Sequence, residues 1–280
     1  LMEAFMYKSH PQTLKVSKIL KESFKPPLSI NAEFCFEVEV PDTHRLVNKK
    51  IGGGSILDIG CYPMSISRLA VGIVNGKDFL NPSGIDCQAE LNEQGVDLNS
   101  HATLSFEDGS VANIKSATNL ASESQVTIKD SLNTLTIKQP WHCGEYTDRK
   151  SQIDLQLGSN DLETIDITTE KGIYAIEIMH FESLLASGCI ESNLIPHNDS
   201  HGNMIALDRW RKGSGVYYES DKGENVKGSL FSFDIKENRK EIQNSNLPGI
   251  EKELSRLVFG CDNQSDSNHA FAMFDHFYHG

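Results

Sequence analysis

Asp58 and Tyr62 stand four residues apart, just beyond the glycines Gly52, Gly53 and Gly54. On a helix, side chains at i and i+4 are neighbours on one face. That spacing sets a carboxylate beside a phenol, a pair able to exchange a proton with a bound group while orienting it. Three glycines in a row let the backbone turn sharply and let another group approach closely. Two plainer readings stand beside this one: Asp58 as a helix cap, and Tyr62 as a core aromatic. His197 and His201 also have i,i+4 spacing. With no further ligand group evident they read as polar residues of a loop and helix start, and no metal is expected.

These residues need a scaffold, and the chain is long enough to supply one or two domains, at 280 residues with 38% apolar content. A formal net charge of −13 argues against non-specific binding to nucleic acid or to an anionic membrane, since both need positive potential. No run of about eighteen apolar residues is apparent, so no membrane-spanning helix is expected. The opening residues lack the basic start and apolar core of a secretory signal. Cys35, Cys61, Cys87, Cys143, Cys189 and Cys261 are dispersed without a CxxC pair. Reduced thiols in a cytoplasmic protein are therefore expected.

Met2 to Met6 reads as a strand. Pro11 suits a first helical position, and Val16, Ile19, Leu20 and Phe24 follow at helical spacing. From Glu33 to Val40 the alternation of Phe34, Phe36, Val38 and Val40 with polar residues predicts a strand with one covered face. The glycine segment leads into a helix reaching about Asn75. Pro63 tolerates only a first turn, so the regular helix is expected to start near Gly60. Short strands follow: Ala102 to Phe106 turning at Glu107–Ser110 into Val111–Lys115, then four more between Val126 and Ile167. Helices return around Tyr174–Leu185 and up to Arg211, the latter capped by Asp199 or Ser200. The expected class is α+β, a largely antiparallel open sheet with helices on one face.

Glu3-Ala4-Phe5-Met6-Tyr7-Lys8-Ser9-His10-Pro11-Gln12, with the glycine segment through Tyr62, resembles the Gfo/Idh/MocA oxidoreductase family. The resemblance runs over about residues 1–220 and includes Gly95-Val96-Asp97, Phe106-Glu107-Asp108-Gly109 and Arg209 to Tyr217. It implies an NAD- or NADP-dependent oxidoreductase acting on a sugar, polyol or dihydrodiol. Tyr62 would be the acid/base, as in the glucose–fructose oxidoreductase and dihydrodiol dehydrogenase branches, with Asp58 orienting substrate or nicotinamide. Lys8, where the family usually has arginine, and His10 would bind substrate. Lysine keeps the charge but loses the bidentate fork.

The same resemblance implies that the chain opens on the last strand and helix of a truncated Rossmann domain, with the main cofactor site upstream of residue 1. Neither G-x-G-x-x-G nor Glu-Lys-Pro occurs in the sequence; Lys25-Pro26 lacks the glutamate. The implied layout is the end of the nucleotide domain at 1–25, a substrate and oligomerisation domain at 26–220, and a polar linker at 221–252. Residues 253–280, with Leu254 to Gln264 followed by Ala270 to Gly280, resemble the first strand and helix of an aldo/keto reductase. On this layout the chain alone is expected to be inactive, and a homo-oligomer through the open sheet is expected. Two alternatives remain: a non-catalytic sheet scaffold, or the linker region of a bifunctional protein whose main activity lies downstream.

Overall fold

The computed structural model describes residues 2–221, together with the short strands Ser245–Asn246 and Glu253–Leu254. Met2–Lys222 form one unit of the chain. Its centre is an eight-stranded sheet: β1 (Ser29–Cys35), β2 (Gly84–Leu91), β3 (Asp97–Ser105), β4 (Val111–Ala117), β5 (Val126–Lys129), β6 (Thr134–Lys138), β7 (Lys150–Gln156) and β8 (Glu163–Thr168). The spatial order is β2-β3-β4-β1-β5-β6-β7-β8. Every neighbouring pair is antiparallel except β1 with β4, which run parallel.

Period-two patterning decides which face is covered. Ile30, Ala32 and Phe34 of β1, Ala112 and Ile114 of β4, Val126 and Ile128 of β5, and Ile153 and Leu155 of β7 are all buried. Their alternates carry polar groups to an open face. Helices α2 (Pro11–Ser23), α3 (Cys61–Val74) and α5 (His197–Gly213) pack on the sheet, and the single turn α1 (Met6–Ser9) packs against both α2 and α4 (Ile173–Ala186), of which only Ile173 is buried. The α+β class and the open, mostly antiparallel sheet are as expected from the sequence.

Several elements differ from the expectation. Met2 to Met6 form no strand; residues 2–5 are irregular and Met6 opens α1. No described strand pairs with them. β1 begins at Ser29 and ends at Cys35, because its partner β4 stops at Ala117, opposite Cys35. Beyond it Glu37 bridges Asn119 and Val38 N–H donates to the Thr118 carbonyl, while the Val38 side chain is exposed. Neither Asp199 nor Ser200 caps α5: its N-cap is Pro196, and the Asp199 carboxylate instead binds two cations. The stretch Lys49–Val74 is, by length and composition, apolar enough to cross a bilayer. The fold buries 72% of that window, as it would any core helix.

In the second unit, Ser245–Asn246 (β9) pairs antiparallel with Glu253–Leu254 (β10). The expected linker and the strand and helix resembling a reductase barrel otherwise lie outside the described residues.

Candidate functional site

The glycine segment is a fastened turn. Gly53 N–H donates to the Asn48 carbonyl at 3.0 Å, and Tyr218 Oη donates to the Gly53 carbonyl at 2.7 Å. A Cβ on Gly53 would stand 2.6 Å from the Arg45 carbonyl oxygen, so only glycine fits without a shift. Gly54 adopts φ +136°, and its missing Cβ leaves the space taken by Asp97 Oδ1. On the far side, Asp97 Oδ2 accepts from Ser55 Oγ at 2.9 Å and from Ile56 N–H at 2.7 Å. A carboxylate from β3 thus occupies donors at the start of the helix, a favourable place for negative charge.

From Ile56 to Gly60 the backbone is π-helical, and α3 proper starts at Cys61 with Gly60 as its N-cap. A π segment inside a longer helix is often found at functional sites. It also resolves the Pro63 conflict, since the regular helix restarts two residues before the proline, inside its first turn. Asp58 sits in the wider π turn, so the i,i+4 stacking expected of a regular helix does not carry over to Asp58 and Tyr62. Asp58 forms an ion pair with Arg45 of the preceding loop.

Tyr62 faces inward and is 7% exposed. Its ring packs edge-on to Phe5 and Phe34 at centroid distances of 5.3 Å, with Tyr7 and Trp141 at 5.9 and 5.7 Å. Its hydroxyl donates to Met6 Sδ at 3.2 Å. A thioether is a weak acceptor, so this contact holds the phenolic proton only lightly.

Lys8 and His10 lie inside the protein. Lys8 pairs with Asp199, whose other oxygen accepts from Arg68 Nη1 at 2.7 Å. Burial pulls the Lys8 ammonium below its usual value, against the opposing pull of Asp199. Burial also raises the Glu3 carboxyl nearby. Lys8 and Asp199 border a cavity of about 350 Å3 with Thr13, Ser17 and Lys21. Asp58 and Tyr62 are not among its lining residues. His10 caps α2: its Nδ1 accepts from Gln12 N–H at 3.1 Å. Burial lowers its pKa to about 4, so the ring is neutral at physiological pH.

The structure thus gathers Tyr62 with aromatics, Asp58 with Arg45, and Lys8 with Asp199 and Arg68. Arg45 and Asp97 were not singled out as site residues from the sequence. Asp97 had a signal in Gly95-Val96-Asp97; Arg45, thirteen residues before Asp58 in a loop, had none.

Residues 26–129 match the family described as the GFO/IDH/MocA C-terminal domain. The chain is 28% identical over 117 residues to a D-xylose 1-dehydrogenase (NADP(+)) of Haloferax volcanii, covering 42% of this chain and 34% of that protein. It is 25% identical over 223 residues to a trans-1,2-dihydrobenzene-1,2-diol dehydrogenase of Xenopus laevis, covering 78% and 64%. Among solved structures, the 3-ketoreductase KijD10 of Actinomadura kijaniata, in complex with NADP and TDP-benzene, superposes with TM-score 0.63 at 22% identity, over 76% of this chain and 62% of that one. An aldose-aldose oxidoreductase of Caulobacter crescentus complexed with glycerol gives 0.63 at 16%, over 77% and 62%. The matches therefore span between about a third and two thirds of these relatives' lengths. At these identities the structural likeness establishes a shared fold.

Proposed function

We propose that this chain supplies the substrate-side sheet domain of an NAD(P)-dependent oxidoreductase acting on a sugar, polyol or dihydrodiol. The observation that carries the reading is the family match over residues 26–129, which contains the whole Gly52–Tyr62 segment. The named relatives, a xylose dehydrogenase and a dihydrodiol dehydrogenase, support the substrate class. NADP in the name of the first, and in the KijD10 complex, supports the cofactor.

The described residues do not fit the phosphates of such a cofactor. The one glycine-rich turn ahead of a long helix has its Ile56 N–H bound by the Asp97 carboxylate, with Asp97 Oδ1 against Gly54. A phosphate would meet negative charge there instead of free donors. The step assigned to this chain is proton exchange at Tyr62 Oη. An alkoxide that forms when a carbonyl is reduced needs a proton, and oxidation of the alcohol runs the reverse. Arg45 fixes Asp58 to orient substrate hydroxyls. In this reading Lys8, which borders the cavity with Asp199, and His10 are the substrate-binding residues.

The test is NAD(P)H oxidation by the product of the complete gene against aldoses, polyols and dihydrodiols, with the chain Leu1–Gly280 assayed in parallel. Turnover by the complete product and none by the chain alone is the expected result. Absence of turnover with either cofactor overturns the proposal. The polar open face, with Asn31, Glu33, His101, Asn113 and Lys115 in a shallow depression, supports pairing of two copies sheet to sheet. A cytoplasmic location completes the proposal.

A further inference from the structure

Asp97 takes no part in the chemistry proposed above, yet the fold goes to some length to keep it. It is fully buried on β3. Oδ2 holds Ser55 and Ile56, whereas Oδ1 has no hydrogen-bond partner. A buried carboxylate oxygen without a partner is costly. An asparagine could accept the same Ile56 hydrogen bond through its carbonyl and carry no charge.

Tyr218 grips the other end of the same turn through the Gly53 carbonyl. Its hydroxyl also lies 3.3 Å from where a Gly54 Cβ would stand, the space that Asp97 Oδ1 enters. Two polar groups from separate parts of the chain, β3 and the segment after α5, thus close on four residues, Gly53 to Ile56. The π turn with Asp58 and the helix with Tyr62 follow directly.

We propose that Asp97 and Tyr218 form a clamp on the Gly53–Ile56 turn, and that the charge on Asp97 is retained to position Asp58 and Tyr62. Placing those two residues at a site rests on the function proposed above; the clamp itself does not. Burial raises the Asp97 carboxyl to about 6, against the hydrogen bonds from Ile56 and Ser55. Burial and the Asp97 charge push the Tyr218 phenol up to about 12, which keeps it a donor to Gly53.

Among the described residues, few charged or titratable groups surround the clamp. Arg211 on α5 lies over the Tyr218 ring at 5.1 Å and is paired with Asp221 and Asp208. Lys212 reaches the same two aspartates. Cys87 on β2 hydrogen-bonds the Trp210 carbonyl. The Lys49 ammonium approaches Gly95, at the turn leading into β3.

The linkage has a definite sign. With its folded pKa above the ordinary carboxyl value of about 4, Asp97 binds more protons folded than unfolded between there and about 6. Its contribution to stability is fullest below that window and falls as pH rises through it. Protonation also replaces a charge-assisted grip on Ile56 N–H with a weaker neutral one. Acidification therefore stabilises the fold through this group while loosening the turn. An ordinary structural carboxylate would weaken both together.

The experiment compares the parent protein with Asp97→Asn and Tyr218→Phe from pH 4.5 to 8. The Tm difference, Asp97→Asn minus parent, is expected to grow with pH up to about 6.5 and then level off. In the parent, exchange of the Ile56 amide, after correction for the intrinsic pH dependence, is expected to quicken severalfold below pH 6. In Asp97→Asn it is expected to show no such step. Tyr218→Phe is expected to speed Ile56 exchange at every pH while keeping the acid-side step. In the complete gene product, kcat is expected to drop at least threefold below pH 6 in the parent, with no such step in Asp97→Asn. A pH-independent Tm difference, or an Ile56 amide without the step, overturns the clamp. If clamp signatures appear while Tyr62→Phe leaves kcat intact, the catalytic reading fails and the clamp stands.

Discussion

Replacing Asp199 by alanine tests the buried charge cluster most directly. One carboxylate neutralises two cations, Lys8 at 3% exposure and Arg68 at 0%. The two would not suffer equally. Arg68 keeps Asn81 as acceptor at 2.8 and 3.0 Å, and Asn203 at 3.3 Å. Lys8 keeps its place 5.7 Å from the Phe5 ring centroid but loses its ion pair. Breaking a buried pair by removing one partner costs about 3–5 kcal/mol, mostly from the charge left behind. At roughly 2–4 °C per kcal/mol for a unit of this size, Asp199→Ala should lower Tm by about 6–20 °C. Thermal unfolding followed by circular dichroism reads this. Adding Lys8→Met to Asp199→Ala should recover about half the loss, because the orphaned charge is gone and the apolar stem remains. A single-variant shift below about 2 °C would show that these charges are solvated, and a double variant no better than the single would show that Lys8 is not the strained partner.

Tyr62→Phe in the complete gene product should lower kcat by about 10²–10⁴, the usual worth of a general acid or base, with cofactor affinity little changed; steady-state kinetics decide, and an unaltered kcat returns Tyr62 to the aromatic core. Gly53→Ala should destabilise the fold by about 1–3 kcal/mol, since the new methyl meets the Arg45 carbonyl at 2.6 Å and Asn48 N at 2.9 Å; denaturant unfolding measures it. For His10, folded pKa about 4 against an ordinary 6.5, the unfolded chain binds more protons between those values. Its contribution therefore rises with pH through that window and is lost on acidification, opposite in sign to Asp97. An NMR titration of the His10 ring should show no protonation above pH 5.

Much of the scaffold was legible because its signals are local. The turn Glu107–Ser110 sits where Asp108 accepts from Ser110 N–H, and Pro11 opens α2 beneath the His10 cap. These rest on spacing and side-chain chemistry within a few residues. What failed rests on partners distant in sequence. Asp199 reads as a cap from its own neighbours, yet Lys8 and Arg68 bind it across 191 and 131 positions. Met2–Met6 has strand composition, but composition cannot supply a neighbouring edge. The site divides the same way. The glycine turn and Asp58 were visible; the hold of Asp97 and Tyr218 on that turn, 41 and 165 positions away, was not.

β1 has a consequence for how the chain folds. Strands β2 to β4 follow one another as hairpins, and β5 to β8 as a meander. Each set can assemble from contacts close in sequence. Only β1 joins them, lying parallel to β4 from Ser29 opposite Val111 and antiparallel to β5 from Ser29 opposite Lys129. Seating it closes a loop of about 80 residues, an entropic demand neither half makes alone. The halves can zip quickly, and insertion of this strand paces the passage to the native state. Until then both halves present open inner edges, so the moment before β1 docks is when the chain is most exposed to pairing with another copy of itself.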